Sequence, residues 1–306
     1  MSFFENGIKA KVMSTELIIE ANVSKKVLFK ALDFAQEFEE RYSAYKESSL
    51  LCKVNKNAGV KPVICNVYEL ELFTKALEMA EASEGVFDPT IGVLSQGLYG
   101  FGKESAKIPT QKELEAVKKL VNYKNYIVTK SEVYLIKKGM KLDFGGIGKG
   151  FVADKIVQIL LEGGASKFLV NVGGEIVTLG KKYNIAIKDP FSKANLAVIK
   201  TSKKSLCIST SGDYERYISS KENHHILDHK TAKQNHYYSS VTLIKDGVDA
   251  TLLDAVATII FNSKRGLLQE IAQKFGVAIV VVTREGEIFF ENFKGLDIEG
   301  VELFSL

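Results

Sequence analysis

The stretch Leu142–Asp154, LDFGGIGKGFVAD, sets four glycines (Gly145, Gly146, Gly148 and Gly150) around one lysine, Lys149, with Asp143 before it and Asp154 after it. Glycine this dense lets a backbone turn sharply and lets another molecule come close. Val152, Ile156, Ile159 and Leu160 then recur at helical spacing, and Gly163-Gly164 closes the helix they predict. A glycine loop entering a helix N-terminus suits an anion, because unpaired N–H groups and the helix dipole point into it. A phosphate-bearing ligand is one reading; a ligand-free strand-to-helix turn is the other. Neither standard phosphate motif is present. A Walker loop needs glycine at 143 and Ser or Thr at 150, and the chain has Asp143 and Gly150. The dinucleotide fingerprint needs glycine at 151, and the chain has Phe151.

A second pairing lies in LLDAVAT, where Asp254 and Thr258 are four apart and share a helix face. Both are hard oxygen ligands of the kind Mg2+ takes, in a sphere it shares with waters and phosphate. A helix acid beside a threonine bonded back to its own helix reads the same residues without a metal. The four histidines, His224, His225, His229 and His236, fall in one segment. The spacing of His225 and His229 allows a zinc pair on a helix, but the surrounding residues read as loop and no cysteine is near. A single histidine acting as general base is the better use, since imidazole titrates near neutral pH. Ser209–Asp213 offers hydroxyls and N–H groups to a phosphate or ends a strand. Phe87-Asp88-Pro89-Thr90 contacts a ligand or stops a helix. Tyr42, Tyr45 and Phe87 stack on a planar ring or fill a core.

These residues need elements to hold them. A strand is expected over Lys11–Ala21, a helix from Ser24 to Arg41, a polar loop over Tyr42–Asn57, and a helix over Val67–Glu84. An irregular glycine-rich stretch follows to Lys107, then a helix opened by a Thr110/Glu113 capping box. After the central loop and helix, Gly173-Gly174 joins strands Phe168–Val172 and Glu175–Leu179 as a hairpin. Further strands are expected to Ile244, a helix over Ala250–Phe261, a helix capped by Ser263, and a closing hairpin over Ala278–Glu291. Irregular alternation with many hairpins reads as α+β, in one domain over residues 1–306.

Hydrophobic residues make up 46% of the 306, enough for a large core. The charge of +4 is mild and spread along the chain, so neither nucleic-acid nor membrane-surface binding is indicated. The longest apolar runs, such as Val277–Val282, are too short for a transmembrane segment. Three cysteines with no CxxC pair argue against a disulfide framework. The N-terminus lacks the pattern of a secretory signal, so the protein is expected to be cytoplasmic, or periplasmic if a leader was removed.

The order of these stretches resembles the ApbE flavin transferases. SEGVFDPTIGVL (83–94), LDFGGIGKGFVAD (142–154), FLVNVGGEIVTLG (168–180), STSGDYER (209–216), HILD (225–228) and LDAVAT (253–258) carry the resemblance, and VMSTEL (12–17) and SAYKESSLLCKVN (43–55) are similar to its earlier motifs. The resemblance implies an ApbE-like fold: one compact domain of two α/β lobes with mixed or antiparallel sheets and FAD in the cleft. It implies an enzyme that, with Mg2+, moves the FMN half of FAD onto a threonine hydroxyl of an acceptor flavoprotein and releases AMP. Some members also, or instead, hydrolyse FAD to FMN and AMP; a non-catalytic FAD carrier is a further alternative. By position, the metal falls to Asp254, Thr258 and the Gly148 carbonyl. FAD falls to Met13, Tyr45, Asn55, Phe87, Asp88, Asp143, Lys149 and Ile226, and the general base to His225. The chain departs from the pattern at Ser14 and Ala232, where glycine is usual, at Gly148, where alanine is usual, and at His229, where proline is usual.

Overall fold

The computed structural model describes residues 2–4 and 7–304. Strand β1 (Ser2–Phe4) precedes a hairpin at the place where the sequence suggests a single strand: β2 (Gly7–Val12) and β3 (Thr15–Ala21). Met13 and Ser14 form the turn between them, both left-handed at φ 53° and 62°, with Val12 paired to Thr15. A two-residue turn with both centres left-handed matches the twist of antiparallel strands, but it usually announces itself with glycine or asparagine. Here neither residue does.

Helix α1 (Lys25–Tyr42) follows. The segment read as polar loop holds helix α2 (Leu50–Lys56), where Ser49 Oγ accepts from Cys52 N at 3.0 Å. Burying only Leu51 and Val54, α2 is too short and too polar to show a clear helical period. Strand β4 (Val63–Ile64) leads to α3 (Val67–Ala82), and Asn66 and Glu69 form its capping box. The stretch expected to be irregular winds a π-helix over Val93–Tyr99, ended by Gly100 at φ 66°. Helix α4 (Gln111–Lys118) carries the expected Thr110/Glu113 box and is followed by β5 (Tyr126–Val128) and β6 (Glu132–Leu135). Next come α5 (Gly148–Glu162), β7 (Phe168–Val172), β8 (Glu175–Leu179), β9 (Asn184–Lys188), β10 (Asn195–Thr201) and β11 (Leu206–Gly212). The chain ends with β12 (Tyr217–Ile218), β13 (Ser220–His224), β14 (Tyr238–Asp246), α6 (Ala250–Phe261), α7 (Leu268–Phe275), β15 (Ala278–Thr283), β16 (Ile288–Glu291) and β17 (Ile298–Leu303). Ser263 is not the cap of α7; its hydroxyl donates to Ile259 O, 2.7 Å away in α6.

Two compact units result. The first takes residues 1–37, 147–212 and 237–306. Its nine-stranded sheet has the order β1-β2-β3-β7-β8-β11-β14-β15-β16. One face packs on α5 and α6. On the other, Ile208, Ile244, Val280 and Val282 meet Ile185, Ile187, Leu196 and Ile199 of the small β17-β10-β9 sheet. Cover on both sides explains why β14 and β15 read as continuous apolar runs rather than as alternation. Helices α5 and α6 are in close contact at Gly150, where a Cβ would lie 2.1 Å from Ala250 O.

The second unit takes residues 38–146 and 213–236. Its β4-β6-β5 sheet is covered by α3, and the rings of Tyr42, Phe73 and Phe144 pack edge to face. A second core joins Leu94 and Tyr99 of the π-helix with Leu114, Leu227 and Ala232. Every strand ladder described in either unit is antiparallel, and the one parallel contact is the isolated Ile91–Lys141 bridge. The class is α+β, as the pattern of hairpins suggests. No helix among the described residues is long and apolar enough to cross a membrane.

Candidate functional site

In the first unit, Lys149 and Asp254 come together. Lys149 is the second residue of α5, and its ammonium donates to Asp254 Oδ1 on α6 at 3.1 Å. It also donates, at 2.5 Å, to Glu175 Oε1 on β8. Asp254 Oδ2 accepts from Gly150 N at 3.0 Å, so this carboxylate satisfies one of the N–H groups left open at the start of α5. Asp254 is 2% exposed, Glu175 0% and the Lys149 side chain 27%. Burial acts to lower the Lys149 pKa, but Asp254 and Glu175 outweigh it and raise the value. Burial, then the Asp254 charge, push the Glu175 carboxyl upward against the pull of Lys149.

Thr258 lies one turn beyond Asp254 on α6, half-buried, and Gly148 is the first residue of α5. Asp254, Thr258 and the Gly148 carbonyl are all hard oxygen donors. Carboxylate, hydroxyl and carbonyl oxygens of this kind suit a small hard cation.

The glycines of the loop serve packing and approach rather than left-handed turning: none of Gly145, Gly146, Gly148 and Gly150 has positive φ. Asp154, one turn further along α5, accepts from Ala250 N and Thr251 N at 2.8 Å each and from the Thr251 hydroxyl at 2.5 Å. It holds the start of α6 and raises Asp254 on a fixed helix. Met13 sits at the β2–β3 hairpin tip, half-buried, in left-handed backbone.

In the second unit, Asn55 donates to Leu142 O at 3.1 Å and accepts from Leu142 N at 2.7 Å. Gln96 of the π-helix donates to the same carbonyl at 3.2 Å. Asp143 is then fixed by Ser95, whose hydroxyl donates to Oδ2, and by Gly145 N, which donates to Oδ1. The π-helix therefore anchors the glycine loop through consecutive residues, a use such helices often have near functional sites. Tyr45 donates its hydroxyl to Phe101 O at 2.7 Å, and its pKa is raised by burial and by the nearby Asp143, against Arg216.

His225 lies against the backbone of Arg216, whose carbonyl accepts from His225 N and from Nδ1, each at 3.0 Å. A carbonyl can only accept, so Nδ1 carries the proton and Nε2 is the basic nitrogen of the neutral ring. Tyr45 thus feels the charges of Asp143 and Arg216, and His225 is held by the Arg216 backbone. Asp88 is buried, and its carboxylate accepts from Thr90 N, the Thr90 hydroxyl and Tyr123 N. It organises its own connection, as Asn55 does the 142 segment. Phe87 and Ile226 are buried side chains.

The remaining histidines differ. His224 is buried with Nε2 on Asn235 O at 3.0 Å, His229 stands 3.7 Å from Asp228, and His236 3.5 Å from Glu222. Among the described residues, no three His, Cys, Asp or Glu side chains converge as metal ligands. Sequence reasoning passed over Glu175, Ser95, Gln96 and Arg216. An acid directly after Gly173-Gly174, at an inward strand position, is a signal for Glu175; Ser95, Gln96 and the Arg216 carbonyl leave none.

Residues 10–281 match the ApbE family. The FAD:protein FMN transferase of Treponema pallidum is 30% identical over 276 residues, covering 83% of this chain and 75% of its own. The enzyme of the same name from Escherichia coli is 26% identical over 266 residues, covering 82% and 75%. The crystal structure of the ApbE protein from Thermotoga maritima superposes with a TM-score of 0.85 at 26% identity, over 96% of this chain and 99% of that one. With a family match over residues 10–281 and a relative 30% identical along most of both chains, this chain belongs to the ApbE family.

Proposed function

We propose that this protein is an FAD:protein FMN transferase: it binds FAD and, with Mg2+, joins the FMN half to a threonine hydroxyl of an acceptor flavoprotein. The relatives from Treponema pallidum and Escherichia coli carry that name. The observation that carries the reading within this chain is the cluster that Lys149, at the start of α5, forms with the buried carboxylates of Asp254 and Glu175, a place where a divalent cation and a fixed ammonium could meet a pyrophosphate.

In the reaction, the threonine oxygen bonds to the phosphorus of the FMN half, the bridging P–O bond breaks, and AMP leaves with the bridging oxygen. Threonine is a weak nucleophile until a base takes its proton, and Nε2 of His225 is the basic nitrogen suited to that. Phosphoryl transfer depends mainly on position and charge stabilisation. Lys149 supplies a fixed positive charge, and Asp254, Thr258 and the Gly148 carbonyl would hold the metal. Mg2+, when bound, neutralises charge on the pyrophosphate and on the departing AMP. In the second unit, Asn55 and Gln96 fix the 142–143 backbone, Ser95 orients Asp143, and Tyr45 offers a ring for stacking beside it.

The test incubates the protein with FAD, Mg2+ and a threonine-bearing acceptor and weighs the acceptor by mass spectrometry. A gain of one FMN less one water, lost on Asp254→Ala, is expected. AMP release at the same rate without acceptor, and no mass gain with it, would establish FAD hydrolysis instead.

A further inference from the structure

We propose that Glu175 is a positioning residue that shares the Lys149 ammonium with Asp254 and takes it up when Asp254 releases it to bind a divalent cation. This rests on the reading of Asp254 as a metal ligand. One ammonium stands between two buried carboxylates, and it is closer to Glu175, 2.5 Å against 3.1 Å to Asp254. These are the two ion pairs of Lys149 among the described residues. Gly150 N fixes Asp254 Oδ2, so the ammonium and an incoming cation compete for Oδ1. A cation bound there repels Lys149, which then needs another anion, because an unpaired buried charge is costly.

Glu175 is built for that role. It starts β8 directly after the Gly173-Gly174 turn, pairs across to Ser209 of β11, and is fully buried, so its carboxylate cannot swing away. Gly173 is held there twice over, by φ 57° and by Thr15, whose Oγ1 would lie 2.3 Å from an added Cβ. Without Glu175, Lys149 has Asp254 alone and closes on Oδ1.

The experiment titrates Mn2+ into the protein, with ADP present as a diphosphate that carries no flavin to transfer, and follows the free ion by electron paramagnetic resonance. Glu175→Gln is expected to bind Mn2+ at least tenfold more weakly than the unaltered protein. Glu175→Asp is expected to be weakened equally, since it keeps the charge but draws the carboxylate back from the 2.5 Å contact. The pair K149M/E175Q, which removes the competing ammonium together with its Glu175 anchor and guards against a misfolded single variant, is expected to bind Mn2+ at least as tightly as the unaltered protein. Unchanged binding in E175Q overturns the inference. So does E175D binding like the unaltered protein while E175Q is weak, because Glu175 would then act by charge alone. Absence of Mn2+ binding in the unaltered protein overturns the metal assignment itself, and the inference with it.

Discussion

Asp154 and Asp254 cap each other's helices: Asp154 on α5 accepts from the first N–H groups of α6, and Asp254 on α6 accepts from Gly150 N at the start of α5. Each carboxylate satisfies donors that a helix start leaves open, and each sits where the partner helix dipole favours negative charge. The central motif and the LDAVAT motif are thus one structural device, although a hundred residues separate their acids. Asp154 also accounts for the second acid of the motif, which touches no expected ligand.

Asp154→Ala removes the acceptor for Ala250 N, Thr251 N and the Thr251 hydroxyl together. Loss of a capping acceptor with buried donors left open is expected to cost about 2–3 kcal/mol. Urea unfolding of the variant measures it; a cost below about 0.5 kcal/mol would show that water replaces the cap.

Gly150→Ala sets a methyl group 2.1 Å from Ala250 O, a backbone atom that cannot step aside. The helices must separate, at about 1–3 kcal/mol or more. Asp254 moves with α6, so transferase activity should fall further than the melting temperature alone accounts for. A variant with unchanged thermal unfolding would contradict the close approach.

Ser14 and Ala232 both stand where the family usually has glycine, and both hold left-handed backbone, φ 62° and 60°. Ala232 is fully buried against Leu227 and Tyr99 in its core. A left-handed non-glycine residue costs about 1–2 kcal/mol, so Ser14→Gly and Ala232→Gly should each raise stability by up to about 1 kcal/mol. Paired denaturant curves test both; a destabilised A232G would mean that the lost methyl contact outweighs the relieved strain.

His225→Ala should slow transfer by about 10²–10⁴, the usual contribution of a general base, and leave FAD affinity nearly unchanged. Single-turnover transfer and a separate flavin-binding titration divide the two effects. If binding fails as well, His225 serves chiefly to hold the segment against the Arg216 carbonyl.

His229 is half-buried, and burial lowers its pKa against the pull of Asp228 and Asp88. A histidine with a depressed folded pKa binds fewer protons folded than unfolded, so its contribution is present above the unfolded value near 6.5 and is lost as the pH falls below it. One such group gives at most about 1.4 kcal/mol per pH unit. Stability measured from pH 7 down to pH 5.5 should decline less steeply in His229→Gln; identical slopes would assign the acid sensitivity to other groups.

Much of this protein is written locally. Glycine pairs at 173–174, the Thr110/Glu113 box and the helical stripe after Gly150 are short-range signals, and they place β7, β8, α4 and α5. The ordered motifs named the family before any geometry was known. What the chain alone could not reveal depends on contacts between distant segments. Met13 and Ser14, both in left-handed backbone, turn an apparent single strand into a hairpin, because sheet pairing on both sides holds the turn closed. A π-helix forms in a stretch with no helical period, because Ser95 and Gln96 find partners at Asp143 and Leu142. Glu175 is a surface-type residue by composition, and only the sheet buries it beside Lys149 and Asp254. Residue type and spacing decided which groups could do the chemistry. The tertiary structure decided which carboxylate holds the lysine, which caps a helix, and which nitrogen of His225 keeps its lone pair, since each depends on a partner from another part of the chain.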